Sequence, residues 1–384
     1  MLTSKIFLRD FNIKKKSLKV KKYLISTFKE KNPVLDSLDR NYKDSFTKKT
    51  IKKYSNNSKF RVIGMGGSSL GTQAIYDFLK KKIKKEFVFV DNLTPVKKII
   101  NKQKFTNLIV SKSGNTIETI VNANLLIKKK EKNIFITENK KNYLYALAKK
   151  LKAEIVHHNN YIGGRYSVLS EVGMLPAELM GLNSLKFRQL NSLIKNKNFF
   201  NSLVLNVSSI LHFVKKKRYN SVIVNYDEQS ENLFKWYQQL VAESLGKNKT
   251  GVLPIVSLMP KDNHSVMQLY LDGFNNNFYT FFHVDEKKSK KLDNKIILPS
   301  HKFLKNKSIS KIIYSQKKAS ENIFLKKNIP FRSFEVKKRD EKTMGELFSF
   351  FILETILLGK ALRLNPYDQP AVELIKKETK KILT

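Results

Sequence analysis

The stretch RVIGMGGSSLGTQAIYDFLKKK, residues 61–82, changes period part-way: an apolar run, a glycine-rich turn, then apolar residues at helical spacing. A strand that runs through glycine into a helix opens a βαβ unit. The pattern recurs downstream. FVFVDN (87–92), NLIVSKSG (107–114), NIFITE (133–138) and EIVHH (154–158) are β-rich runs, and NTIETIVNANLLIKKK (115–130) fits a helical period. Near-continuous apolar strands alternating with helices predict a parallel sheet covered on both faces. A second α/β run starts near residue 205, with SVIVNY (221–226), the helical ENLFKWYQQLVAESLGK (231–247), GVLPIVSL (251–258), FYTFFHV (278–284), a helix near 307–327 and FRSFEV (331–336). The last forty residues read as helical. The expectation is an α/β fold: an N-terminal helical segment over 1–50, a first α/β domain over 51–185, a second over 200–340, and a helical C-terminal extension over 341–384.

Composition narrows the classes. The chain has 384 residues, 41% of them hydrophobic, which is enough for a sizeable core. It has no Cys, so disulfides and Cys-based zinc sites are excluded. No stretch reaches the ~20 apolar residues of a membrane span. The start, MLTSKIFLRD, carries Asp10 and lacks a signal-peptide apolar run. A soluble, cytoplasmic protein without a membrane partner is expected. The formal net charge of +42 comes from 74 Lys and Arg against 32 Asp and Glu. Only nine of those cations are Arg, the side chain suited to bidentate base and phosphate recognition. The Lys excess reads as a solvated, compositionally drifted surface, and no specific nucleic-acid partner is expected. Its field would still draw in a small anion.

Two loops at strand ends point to a phosphorylated ligand. Gly64-Met65-Gly66-Gly67-Ser68-Ser69 follows a strand and opens a helix, where glycine lets backbone N–H groups approach an anion. It is neither a Walker A loop nor the usual dinucleotide turn. Ser111-Lys112-Ser113-Gly114-Asn115-Thr116 puts three hydroxyls and an ammonium within six residues, and equally suits a helix N-cap. Both loops fall at the carboxyl ends of parallel strands, where open α/β sheets bind ligands. Gly163-Gly164-Arg165 places a scarce Arg after two glycines, suited to a developing oxyanion. Gln239 and Glu243 are four apart on one helical face, so Glu243 is a candidate general base. His264 opens an amphipathic helix, and Gln369 and Lys376 are two helical turns apart. Adjacent His157 and His158 point to opposite faces of a strand, which argues against a joint ligand role.

Taken together and in order, GMGGSSLG, SKSGNTIET, GGRYSVLSEVG, QQLVAESLGK, DNHSVMQLYLDG and NPYDQPAVELIKK resemble the blocks of the glucose-6-phosphate isomerase family, spread from about residue 60 to 380. The resemblance implies two sugar-isomerase (SIS) α/β domains with C-terminal helices. It implies reversible aldose–ketose isomerisation of glucose 6-phosphate to fructose 6-phosphate through a cis-enediol(ate), in glycolysis and gluconeogenesis. By position, Gly67, Ser68, Ser111, Lys112, Ser113 and Thr116 would hold the phosphate and nearby hydroxyls. Glu243 would be the base, and Arg165, beside Gly164, would stabilise the enediolate. Gln239 and Gln369 would contact substrate, and His264 with Lys376 would assist ring opening. In the family that His comes from the other subunit, which implies a homodimer. The reaction needs no metal and no cofactor, and none is expected. The chain departs from the family at Lys261-Asp262-Asn263, Asn115, Ala371 and Ile375. The alternatives are an isomerase that also takes mannose 6-phosphate, and an SIS-type sugar-phosphate sensor. A sensor would have no need of Glu243, His264 and Lys376 together.

Overall fold

The computed structural model describes residues 1–94 and 104–384. Its first sheet contains β2 (Lys59–Gly64), β3 (Glu86–Val90), β4 (Thr106–Val110), β5 (Lys132–Glu138) and β6 (Glu154–His158), in the order β3-β2-β4-β5-β6. All four of its pairings are parallel. The near-continuous apolar strands are explained by what covers them. Phe60, Val62, Leu108, Val110, Ile134 and Ile136 point into the main core, which also takes in helices Leu70–Phe78 and Glu171–Leu179. The alternate residues Ile63, Ile109 and Phe135 meet Ala123, Leu126, Leu144 and Ala148, from helices Ile117–Leu126 and Tyr143–Leu151. Side chains alternate across a strand, so burial on both faces favours apolar residues at successive positions, and the buried exceptions Arg61, Asn107 and Asn133 bond one another along the sheet.

The second sheet runs β1-β10-β9-β7-β8, with β1 at Ile6–Arg9, β7 at Asn220–Asn225, β8 at Leu253–Leu258, β9 at Asn277–Val284 and β10 at Phe331–Val336. Strands β7 to β10 are parallel, and β1 joins β10 antiparallel with Ile6 opposite Val336. Residues 1–50 are therefore not only helical. A four-residue strand is too short to show its period in sequence, and it exists because β10 leaves a free edge for it. Helix Leu18–Lys29 follows within the same segment.

Apart from β1 and β6 at the far edges, the two sheets share one winding order. In each, the first strand (β2 or β7) lies between the second (β3 or β8) and the third (β4 or β9). The winding reverses between β2 and β4, and again between β7 and β9, and each reversal opens a crevice at the strands' carboxyl ends.

Helix Glu231–Leu245 ties the two sheets together. Asn232 donates to Asp77 at 2.6 Å, Gln238 donates to the Pro254 carbonyl of β8 at 2.9 Å, and Trp236 and Tyr237 stack edge-on or tilted against Phe348 and Phe351. Phe348 and Phe351 belong to helix Glu341–Ala361, buried almost all round. The final helix, Val372–Leu383, is the opposite case: none of its residues is buried, and Leu374, Ile375, Ile382 and Leu383 are exposed. No described helix is long and apolar enough to cross a membrane.

Candidate active site

The site forms where the first sheet reverses. After β2 the chain makes one tight turn, Gly66–Ser68, before helix Leu70–Phe78. Gly66 adopts a left-handed φ of +52°, and a Cβ there would sit 2.8 Å from Nε2 of Gln239. A Cβ on Gly67 would sit 2.2 Å from the carbonyl carbon of Gly164. Glycine is required here because two backbones touch, which brings the Gly64–Ser69 turn against Gly164-Arg165. Ser167 Oγ donates to the Gly164 carbonyl at 2.7 Å and closes that second turn.

After β4, beside β2, comes Ser111–Thr116. The Ser111 and Thr116 hydroxyls lie 2.9 Å apart, and Ser113 Oγ accepts from the Asn115 N–H at 3.3 Å. Thr116 occupies the N-cap position of helix Ile117–Leu126 yet makes no side-chain cap bond. The capping reading of this loop is thus corrected: the hydroxyl has turned to Ser111, and the helix's first N–H groups are left for another acceptor. Lys112 is half-buried, and that burial pushes its ammonium below the ordinary lysine range.

Arg165 is the best-held side chain in the site. It is buried, and all five of its N–H donors are used. Nε donates to Ser244 Oγ at 2.8 Å. Nη1 donates to Gln369 Oε1 at 2.6 Å and Glu243 Oε2 at 3.3 Å, and Nη2 to the carbonyls of Pro366 at 2.7 Å and Asp368 at 3.0 Å. Trp236 Nε1 donates to the Arg165 carbonyl at 3.1 Å, and the Tyr166 hydroxyl bonds both Ser244 Oγ and the Pro366 carbonyl. Gln239 and Glu243 share one face of helix Glu231–Leu245, with Gln239 Nε2 donating to Glu243 Oε1 at 2.9 Å. The other amide atom, Gln239 Oε1, is buried and has no hydrogen-bond partner among the described residues. A carboxylate with 29% of its side chain exposed, set against a guanidinium, can take a proton and find the resulting negative charge met close by. A cleft of about 800 Å³ opens beside Glu243 and Gln369.

The fold thus brings Gly67, Gly164, Arg165, Gln239, Glu243 and Gln369 together. Ser68, Ser111, Lys112, Ser113 and Thr116 stand on the two loops at the same crevice. His264 and Lys376 do not join them within one chain. His264 is exposed in the turn Lys261–His264 beyond edge strand β8, and its side chain has no hydrogen bond or ion pair among the described residues. Its neighbour Asp262 anchors that turn, accepting from the Leu258 N–H at 2.7 Å. Lys376 donates to Glu373 at 2.6 Å on the terminal helix, none of whose residues is buried. Sequence reasoning missed Ser244, Tyr166 and the Pro366 and Asp368 carbonyls. Ser244 directly follows Glu243, but adjacency carries no helical-face signal, and backbone carbonyls leave no trace in composition. His158 proves structural: it is buried between Glu171 at 3.3 Å and the Ile162 carbonyl at 3.0 Å.

Two reversing parallel sheets, hydroxyl loops at the first reversal and a carboxylate–guanidinium pair beside them define an SIS-type phosphosugar isomerase. A family model of phosphoglucose isomerase matches residues 36–384, and the chain belongs to that family. It is 33% identical over 361 residues to the glucose-6-phosphate isomerase of Methanocaldococcus jannaschii, covering 88% of each chain. It is 31% identical to that of Mycoplasmopsis pulmonis, covering 84% of this chain and 82% of the other. Among solved structures, the glucose-6-phosphate isomerase of Chlamydia trachomatis superposes with a TM-score of 0.77 at 18% identity, over 95% of this chain and 83% of that one. The tagatose-6-phosphate ketose/aldose isomerase of Escherichia coli gives 0.52 at 12%, over 84% and 89%. At these identities the two structures speak for the fold.

Proposed function

We propose that the Glu243–Arg165 cluster carries out the family's reaction in this chain, the reversible interconversion of glucose 6-phosphate and fructose 6-phosphate. The phosphate sits against the Gly64–Ser69 turn and the Ser111–Thr116 loop, held by N–H groups, hydroxyls and the Lys112 ammonium. Glu243 removes the C2 proton of the open-chain aldose. The electron pair moves into a C1–C2 double bond and the charge onto the C1 oxygen, giving a cis-enediolate opposite Arg165. The O2 proton passes to O1, which puts the charge on the C2 oxygen; return of the proton from Glu243 to C1, as the C2–O bond becomes a carbonyl, gives the ketose. Every Arg165 donor is already used, so the enediolate oxygen replaces an existing acceptor. The neutral Gln369 amide oxygen costs less to displace than the Glu243 carboxylate or two backbone carbonyls. Gln239 Oε1, which lacks a donor, receives a substrate hydroxyl.

The observation that carries this reading is the 3.3 Å contact between Glu243 Oε2 and Arg165 Nη1 at the first sheet's reversal. In a coupled assay with fructose 6-phosphate, folded Glu243→Gln is expected to lose ~10²–10⁴-fold in kcat, the usual worth of a general base. A fully active variant would overturn the assignment. Ring opening is assigned to Lys376 and to His264 of a second copy of the chain. The exposed position of His264, the open cleft beside Glu243 and the unburied apolar residues of the terminal helix all support a dimer. Sedimentation should show one. Mixing inactive Glu243→Gln with inactive His264→Ala should restore part of the activity, because mixed dimers contain one intact site.

A further inference from the structure

We propose that Lys247 is a positioning residue for the isomerisation, acting on Arg165 through the Asn365–Asp368 segment; the inference rests on the role assigned to Arg165 above. The guanidinium is aimed from one side by the Pro366 and Asp368 carbonyls, both accepting from Nη2. These carbonyls lie in an irregular stretch between two helices, so no helix or sheet bonding sets their direction. Lys247 does. Its ammonium bonds Asp368 Oδ1 at 2.5 Å and also the Asn365 carbonyl, gripping both ends of a four-residue span. Within that span, Asn365 Nδ2 donates to Asp368 Oδ2 at 3.0 Å and the Tyr367 N–H donates to Asn365 Oδ1 at 3.0 Å.

Lys247 is itself well placed to act as a reference point. It stands two residues beyond the end of helix Glu231–Leu245, which carries Glu243, and a pair of backbone bonds with Thr250 at 3.1 and 2.9 Å pins it. Only 12% of its side chain is exposed, although 53% of Asp368's is. Base and guanidinium are thereby registered to one helix. An ion pair this open on one side adds little to stability. Its effect is on alignment, and Gln369, the next residue in the chain, moves with the segment.

The test compares wild type with Lys247→Met, Asp368→Asn and Lys247→Arg. For Lys247→Met and Asp368→Asn, kcat on fructose 6-phosphate is expected to fall about 10- to 100-fold, the range a displacement near 1 Å produces, with KM changing little. Affinity for a phosphorylated polyol, which binds through its phosphate and cannot form an enediolate, should stay within about two-fold. A hydroxamic acid mimic of the enediolate should weaken in step with kcat. Lys247→Arg should recover most of the activity. A Lys247→Met variant with wild-type kcat overturns this inference alone. Loss of polyol phosphate affinity in step with kcat also overturns it, since Lys247 would then touch the substrate directly. An inactive wild type overturns the proposed function and this inference with it.

Discussion

The two sheets reverse in the same way, yet their crevices hold opposite chemistry. Between β2 and β4 the loops carry glycine and hydroxyls, so the crevice is lined by backbone N–H groups and small side chains. Between β7 and β9 the equivalent positions carry Asp227 and Glu286. Arg339, arriving after β10, bonds Asp227 and donates to Glu286 at 2.7 Å. Lys81, from the turn after helix Leu70–Phe78 of the first sheet, donates to Glu286 at 2.5 Å, and the Arg339 guanidinium lies 4.9 Å from the Phe78 ring centroid. About 200 Å³ of space remains beside these groups. The second reversal has become a weld between the two halves. Strand order makes a crevice, and the residues at the loop tips decide whether it binds a ligand or joins two sheets.

That contrast can be broken from either side. The largest stability effect is expected from Arg339→Met, which leaves the buried Asp227 carboxylate without its cation beside Glu286, which keeps only Lys81. About 3 kcal/mol should be lost in a denaturant titration, while KM of the folded fraction stays at the wild-type value. A rise in KM would mean the second crevice also serves the substrate. Gly67→Ala comes next. Its new methyl has nowhere to go against Gly164, so the first crevice should distort at a cost of about 1–3 kcal/mol, and in contrast to Arg339→Met the activity should fall as well. Thr116→Val is smaller: it removes one hydroxyl from the proposed phosphate loop and should raise KM by about 5- to 10-fold, the worth of a single ordinary hydrogen bond, with kcat nearly unchanged.

The smallest effect distinguishes the crevices by pH. Burial pushes the Glu286 carboxyl up, but bonds from Lys81 and Arg339 outweigh it and hold it below the ordinary glutamate value of 4.5. A carboxylate whose folded pKa is depressed adds stability above its unfolded pKa and loses it as pH falls through the lower folded one. Acid below about pH 4.5 should therefore destabilise wild type more steeply than Glu286→Gln, by at most about 1 kcal/mol given the group's partial exposure. Thermal melts at pH 5 and pH 3 would measure it. Lys112 behaves in the opposite sense: burial lowers its pKa, so under the phosphate role proposed for its charged form KM should rise with alkaline pH before the usual lysine range is reached.

Much of this contrast was legible one residue at a time. RVIG, NLIV and NIFI declared a doubly covered sheet because, after the first residue of each, successive positions on both faces are apolar or glycine, and that is a local property of the strand. GMGGSS and SKSGNT pointed to the anion site we propose on equally local grounds, since glycine and hydroxyls at a strand end act within a few residues of one another. The second crevice was not legible. Asp227, Glu286 and Arg339 are far apart in the chain, and each alone reads as a solvated surface charge.

What the sequence by itself determined is therefore the sheet type, the two glycine and hydroxyl turns, and the family blocks that carry Glu243, Arg165, His264 and Lys376. The tertiary structure alone decided that Ile6–Arg9 completes the second sheet, that Arg165 spends all five donors on acceptors from two distant segments, and that His264 and Lys376 stay outside the cluster in one chain. The physical reason is distance along the backbone. Arg165 meets Ser244 across 79 positions and Pro366 across 201, and such contacts follow from how two sheets pack around helix Glu231–Leu245 rather than from any period a strand or helix repeats.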